Sequence, residues 1–278
     1  MHVFIINLTR RKDRLAAMTS QLGRLGLAAE RIPALDAEHV SERWLAQFFT
    51  PSGPLGTIPK GDQCCSLSHR RAWSAFLVSG APYATVLEDD VVLEPAASGL
   101  LRTPGWLPPG ADVIKLEHFG PQNQRVLVGA GIPLDDGHTL APILSRHTGA
   151  GAYILSRRAA VLLMTVERWT VPVDHLLFNP NVSKIAKQLA PLQLLPAIAR
   201  EAPDGTSDIR HWRQADWQPS LKLVKREIVR AYYELRLLPQ QIAAVLAGKA
   251  RLARVAAIAP AQSSAIPPEL ATARTGAA

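Results

Sequence analysis

The stretch PYATVLEDDVVLEP, Pro82 to Pro95, sets three consecutive carboxylates, Glu88, Asp89 and Asp90, between two runs of strand-forming apolar residues. Adjacent like charges repel, and a partly buried strand end holds them only when something positive compensates. In an extended strand residues two apart point the same way, so Glu88 and Asp90 share a face and Asp89 points oppositely. Two carboxylates from one strand end make a hard oxygen-donor site suited to magnesium or manganese, which keeps waters and bridges to substrate phosphates. The bland alternative is a strand that ends at Leu87 followed by a solvated acidic turn capped by Arg side chains. The apolar residues on both sides argue for partial burial instead.

The flanking sequence supplies the rest of a sheet. HVFIINL (His2 to Leu8) reads as a buried strand, and Leu15, Met18 and Leu22 then recur at helical spacing until Gly23 and Gly26. ERIPALDA (Glu30 to Ala37) is a second strand ending at Asp36, and residues 42 to 59 read as an irregular loop. After Asp62, a helix cap, Leu67, Trp73, Phe76 and Leu77 form an amphipathic pattern that stops at Gly80, where the strand YATVL begins. DVIKLE (Asp112 to Glu117), GAYILS (Gly151 to Ser156) and LQLLPAIA (Leu192 to Ala199) are further strands, with the helix RRAAVLLMTVERW after the second. VPVDHLLF is a proline-initiated helical turn with Asp174 in its first turn. Strands alternating with helices predict an α/β fold with a mostly parallel, doubly covered sheet, whose ligands collect beyond the carboxyl ends of its strands. Asp36, the triplet and Glu117 then gather along one edge.

At 278 residues and 47% hydrophobic content the chain can bury one large core or two modest ones. The adjacent Cys64 and Cys65 close no loop and match no zinc or redox spacing. The start becomes charged too soon for a secretory h-region and no apolar segment is long enough to span a bilayer, which sets a cytoplasmic expectation. The formal charge is +8, but eight Lys/Arg against two Glu between Lys222 and Arg254 account for +6 of it, leaving +2 for the remainder. That concentration, without interleaved stacking aromatics, counts against nucleic-acid binding. From Pro219, Leu221, Val224, Ile228, Ala231, Leu235 and Leu238 form one helical stripe, with Lys222, Lys225, Arg226, Arg230 and Arg236 on other sides. Such a helix either lies on an anionic membrane surface, at the cytoplasmic face of an inner membrane, or packs its stripe on the domain. The division expected is residues 1–218 as the catalytic domain, 219–259 as a basic helical extension and 260–278 as a disordered Ala/Pro/Ser/Thr-rich tail.

In order, FIINLTRRKDR, ALDA, CCSLSHRRAW, PYATVLEDDVVLEP, GAGAYILSRRAA and PVDHLLF resemble the blocks of glycosyltransferase family 25, across roughly residues 2 to 180. That family includes bacterial lipooligosaccharide galactosyltransferases and collagen galactosyltransferases. The resemblance implies a GT-A type, Rossmann-like fold and inverting transfer of a sugar, galactose first, from a UDP-sugar to a glycan such as a lipooligosaccharide or LPS core. It makes the triplet a DxD-like motif, with Asp90 a direct Mn²⁺ (or Mg²⁺) ligand and Glu88 or Asp89 on metal-bound water or the ribose. It also places His69 beside the donor and Asp36 on ribose or base. Two positions depart from the family pattern, Ala37 and Cys64 standing where Gly is usual.

Beside that carry-over, Asn7 offers a donor and an acceptor to an edge of uracil or ribose. Arg10 and Arg14, four apart, present two cationic forks to a diphosphate, or else a solvated helix face. Inversion needs a carboxylate base. Asp174 is the first choice, with an N-cap role as its alternative, and Glu117 the second; His175 or His211 approaches the metal instead, and residues 205–213 lie where an acceptor-side loop would close. Two competing functions are a metal-dependent phosphohydrolase using the same acids and a catalytically inactive GT-A-like adaptor for a membrane or protein partner.

Overall fold

The computed structural model describes residues 1–120, 124–202 and 221–256. The chain begins β1 (His2–Asn7), α1 (Lys12–Arg24), β2 (Glu30–Pro33), α2 (Glu42–Leu45), α3 (Lys60–Ser79), β3 (Tyr83–Glu88), β4 (Val91–Leu93) and α4 (Ala97–Leu100). It continues β5 (Val113–Lys115), β6 (Glu117–His118), β7 (Arg125–Gly129), β8 (Ile132–Pro133), β9 (Thr139–Pro142), β10 (Ala152–Ser156), α5 (Arg157–Met164), α6 (Val173–Phe178) and α7 (Lys184–Leu189). It closes with β11 (Leu192–Leu195), β12 (Ala199–Glu201), α8 (Leu221–Leu246) and β13 (Ala250–Arg254).

An eight-stranded sheet has the order β2-β1-β3-β10-β5-β11-β9-β8. Every strand in it but β9 and β10 runs in the same direction. Alternate residues of the central strands feed two apolar layers. Phe4, Ile6, Val86, Tyr153 and Leu155 face the layer made with α3 and α5, while Val3, Ile5, Leu87 and Ile154 face the layer holding Met18 and Leu22 of α1. Burial on both faces is why these strands read as unbroken apolar runs. The result is the α/β architecture expected, a mostly parallel sheet between helices with a C-terminal helix added.

Register positions the carboxyl edge. Ile6 pairs with Glu88 across β1 and β3, so Asn7 comes level with Asp89. Glu88 N–H donates to the Gly151 carbonyl, and Tyr153 pairs with Lys115. The antiparallel β10 thus contributes its beginning, Gly149 to Gly151, to the edge where its neighbours end.

Several elements differ from the sequence reading. Strand β2 stops at Pro33, and Asp36 lies beyond it, because the last ladder bond is Ala34 N–H to Asn7 O and the Leu35 N–H then turns to Ser68 Oγ. DVIKLE is two strands: the Leu116 carbonyl accepts from Ile198, and Glu117 pairs with Ala199 in a small sheet of order β4-β12-β6. Asp62 does not cap α3, whose N-cap is Pro59; it lies buried in the first turn. The presumed loop 42–59 contains α2, capped by the Ser41 hydroxyl, and its neighbours Phe48 and Thr50 are stitched to the backbone of Trp169. The C-terminal segment returns to the body, since β13 pairs with β7. The 218/219 boundary, the tail, His211 and residues 205–213 lie outside the described residues.

Within the stitched segment Gly53 lies so close to Thr170 that a Cβ built on it would sit 1.7 Å from the Thr170 carbonyl oxygen. Both partners are backbone and neither can yield locally. Gly53→Ala is expected to lower unfolding free energy by about 1–3 kcal/mol, as overpacking does, measured by urea titration at unchanged m-value.

Candidate active site

The three acids leave the strand in different directions. Strand β3 ends at Glu88, and Asp89 and Asp90 form the turn into β4. Asp89 is gripped from below, its Oδ2 accepting from Asn7 Nδ2 at 2.7 Å and its Oδ1 from Arg14 Nη1 at 3.2 Å. The same Arg14 nitrogen lies 3.3 Å from Asp90 Oδ2. A guanidinium on α1 therefore answers part of the repulsion within the triplet. Asn7 is fully engaged, because its Oδ1 accepts from Arg31 Nε at 2.9 Å and its Nδ2 also donates to the Arg11 carbonyl. The amide that the sequence offers to a uracil edge orients Asp89 instead.

Glu88 and Asp90 stand between two hollows. On one side is a small cavity of about 90 Å³ lined by Arg10, Arg14, Asp36, Cys64 and Ser68. On the other is a cleft of about 430 Å³ lined by Asp62, Glu117, Gly149, Asp174 and Glu201, with Glu88 and Asp90 on its wall. Arg10 Nε donates to Asp36 Oδ2 at 2.7 Å. That pair bridges the loop after β1 to the loop after β2, and Arg10 holds the Asp36 carboxyl below its ordinary range against the opposing effect of burial.

Negative charge accumulates at the wall. Burial first, then the neighbouring Glu88, push the Asp90 carboxyl up to about 7, with Asp89 and Glu201 adding to the rise and Arg14 opposing it. Burial likewise raises Asp89, in spite of Asn7 and Arg14. Carboxylate oxygens of Glu88 and Asp90, buried beside one another with Asp89 and Glu201 near, make the hard oxygen-donor environment that suits a Mg²⁺ or Mn²⁺ ion. Glu88 and Asp90 are the residues that would hold it.

His69 is fully buried on α3 and joins this wall by a chain of hydrogen bonds. Trp73 Nε1 lies 2.8 Å from Tyr153 Oη, Tyr153 Oη 2.9 Å from His69 Nδ1, and His69 Nε2 3.0 Å from Glu88 Oε1. An indole N–H only donates. A Glu88 carboxylate accepts from His69 Nε2–H, a neutral ring then accepts at Nδ1 from the Tyr153 hydroxyl, and Tyr153 in turn accepts from Trp73. Cys65 Sγ, His69 Nε2 and Glu88 Oε1 lie within 4.8 Å of one another, a grouping with metal-site geometry. In that tautomer Nε2 carries the proton directed at Glu88 rather than a lone pair. His69 is an orienting group for Glu88.

Glu117 is likewise committed. Lys115, wholly buried, places Nζ 2.5 Å from Glu117 Oε1 and 2.5 Å from the Gly149 carbonyl, and 4.7 Å from the centre of the Phe178 ring. Gly151 N–H donates to the same Glu117 oxygen at 2.9 Å. Burial raises the Glu117 carboxyl, which Lys115 opposes, and the charge is spent on holding the segment 149–151 rather than on a reactant. A side chain at Gly149, whose φ is +84°, would strike Phe119 and Glu117, and one at Gly151 would strike Glu117 and Val91. Asp174 faces the cleft with lighter engagement: Gly149 N–H donates to Oδ2 at 3.3 Å and His175 N–H to Oδ1 at 2.8 Å. The N-cap of α6 is Pro172, not Asp174. His175 turns its Nδ1 to the Asn179 amide at 2.8 Å.

The acid turn, Glu117 and Asp174 gather at the carboxyl edge of one sheet, and similarity to known proteins decides the family. Residues 1–177 match glycosyltransferase family 25 (LPS biosynthesis protein). The chain belongs to glycosyltransferase family 25. It is 29% identical over 195 residues, 65% of this chain and 68% of the relative, to the lacto-N-neotetraose biosynthesis glycosyltransferase LgtB of Neisseria gonorrhoeae. It is 24% identical over 190 residues, 64% of this chain and 70% of the relative, to the lipooligosaccharide biosynthesis protein lic2B of Haemophilus influenzae. A glycosyltransferase 25 family member of Anopheles gambiae is 32% identical over 120 residues, 38% of this chain and 20% of that protein.

Within this family 25 chain, the edge brings together Glu88, Asp89, Asp90, Asn7, Arg14 and His69 through direct contacts, with Arg10 and Asp36 across the small cavity and Glu117 and Asp174 across the larger cleft. Lys115, Tyr153, Arg31 and Glu201 complete it without having been singled out in the sequence. A lysine two residues before a glutamate inside DVIKLE was the available sign, since a strand sends both to one face.

Two outcomes follow. The unfolded chain loses the Asp90 proton near pH 4, whereas the folded chain keeps it to about pH 7. Stability without divalent cation therefore falls as pH rises across that window. Asp90→Asn in the presence of a chelator should raise unfolding free energy by on the order of 2 kcal/mol at pH 8 and leave it unchanged at pH 4, read from denaturant melts. Tyr153→Phe strands the Trp73 N–H and the His69 ring, and should cost about 1–3 kcal/mol in the same measurement.

Proposed function

We propose that this family 25 chain is an inverting, metal-dependent glycosyltransferase that moves a hexosyl group, galactose first, from a UDP-sugar to a glycan acceptor of the lipooligosaccharide or LPS core. The observation that carries the reading is the wall: Glu88 and Asp90 separate a small cavity with two arginines from a larger acidic cleft containing Asp174. Support for the acceptor class comes from the lipooligosaccharide and lacto-N-neotetraose assignments of the bacterial relatives.

In this reading the nucleotide lies on the Arg10, Arg14 and Asp36 side, and the acceptor enters the larger cleft. Asp90 and Glu88 would hold a divalent cation, which would supply Lewis-acid stabilisation to the diphosphate leaving group. Asn7 and Arg14 keep Asp89 from competing with it, and His69 fixes the Glu88 carboxylate. An acceptor hydroxyl oxygen forms the new bond to the anomeric carbon from the face opposite the leaving group, UDP departs with the electron pair of the broken bond, and Asp174 receives the hydroxyl proton. Lys115, donating to the Gly149 carbonyl, and Glu117, accepting from the Gly151 N–H, hold the segment whose Gly149 N–H orients Asp174. Attack from the opposite face inverts the anomeric configuration. A cytoplasmic-face location completes the reading, and among the described residues no helix is long and apolar enough to cross a membrane.

The test is UDP release and glycan extension with a panel of UDP-sugars and truncated lipooligosaccharide. Activity should vanish with EDTA, return with Mn²⁺ or Mg²⁺, and fall in Asp174→Asn by about 10²–10⁴-fold in kcat, the usual worth of a general base. Product NMR should give an inverted anomeric centre. Full activity of Asp90→Asn in EDTA would overturn the metal assignment.

A further inference from the structure

The helix α8 packs with an unexpected face. Val229, Tyr233, Leu237, Gln241 and Ala244 are its half-buried residues, Gln241 Nε2 donating to the Leu144 carbonyl at 2.8 Å and Glu234 pairing with Arg146 at 3.4 Å. On the opposite side Ile228, Tyr232, Leu235, Leu238, Ile242 and Leu246 recur at spacings of four, three, three, four and four. These six residues remain 41% to 83% exposed. A row of large apolar residues along five turns of helix is not an ordinary solvent face. The stripe does not pack on the domain; the reverse side of the helix does.

The charge around the stripe identifies its occupant. The segment from Lys222 to Arg254 carries eight Lys/Arg and two Glu, and one of those acids, Glu234, is on the packed side with Arg146. Arg236 is exposed next to Leu235, and beyond the helix Arg251 is exposed beside Leu252, itself 62% exposed. A second copy meeting this stripe about a two-fold axis would set the same positive segment against itself. The chain's own residues 257–278 offer three large apolar side chains, Ile258, Ile266 and Leu270, for a stripe of six. An anionic bilayer supplies both an apolar layer for the stripe and negative headgroups for the flanking cations.

We infer that α8 docks the enzyme on an anionic membrane surface with the Ile228–Leu246 stripe inserted at the headgroup boundary and the opposite face carrying the catalytic domain. The inference rests on the proposed lipid-linked acceptor and adds how the enzyme meets it: a bilayer-facing helix holds the enzyme at the membrane from which that acceptor projects.

The experiment floats the full chain with vesicles of phosphatidylcholine alone and of phosphatidylcholine mixed with phosphatidylglycerol. Binding is expected only to the anionic vesicles, weakened by added salt. The exposed double substitution Leu235→Asp/Ile242→Asp should reduce the bound fraction at least about tenfold while leaving the melting temperature and transfer to a soluble acceptor unchanged. Failure of the full chain to float with anionic vesicles overturns the proposal. So does equal binding by the double variant, a dimer in sedimentation equilibrium that the variant splits, or vesicle binding that appears only after truncation beyond Ala256. Transfer to the soluble acceptor is scored separately, so loss of turnover with intact vesicle binding counts against the transferase reading alone.

Discussion

The alignment of β1 with β3 is the constraint from which the rest of the edge descends. With Ile6 opposite Glu88, the next residue on one strand is an amide and on the other a carboxylate, and the two meet at 2.7 Å. A slip of one residue would turn every apolar side chain of β1 to the wrong layer and withdraw Asn7 from Asp89 together. Packing and site geometry are thus specified by the same ladder. Arg14 arrives within the first turn of α1 because β1 delivers the chain to that place.

The edge handles its charge in two ways. Lys115 and Glu117 are buried together and neutralise each other in contact, an arrangement costly to desolvate and tolerable only because the Gly149 carbonyl, the Gly151 N–H and the Phe178 face complete it. The acid turn is different: one guanidinium serves two aspartates while Glu88 meets the His69 imidazole. The first arrangement is buried and closed; the second sets Glu88 and Asp90 on the wall of a cleft. That contrast separates scaffold from chemistry among carboxylates only a few ångströms apart.

Much of this was legible in the residues. β1, β3 and β10 are apolar runs buried on both faces, and the helices after β1 and before β3 announce themselves by period and by Gly80. The alternation argument for Glu88 and Asp90 reached the right partition, since those two line the larger cleft and Asp89 does not, although the backbone there is a turn and Arg14 and Asn7 enforce the split. What stayed hidden depends on pairing between distant segments. β4, β6 and β12 are two or three residues long and exist only because they meet one another. The commitment of Asn7 is invisible without Arg31, and that of His69 without Tyr153. Helical spacing found the apolar stripe of α8 but not which side of that helix the domain takes.

The pairing of β13 with β7 gives the C-terminal segment a second meaning. Residues 250–254 cover a strand that would otherwise present open backbone donors and acceptors at the margin of the fold. The extension is therefore structural material for the body as well as an appendage to it, and evolution could not trim it back to the helix without leaving a sticky margin. By fastening the chain just after α8, and with Glu234 and Gln241 held to the body, the strand also denies that helix free swivel, so whatever surface it meets, the catalytic domain meets it at a fixed tilt.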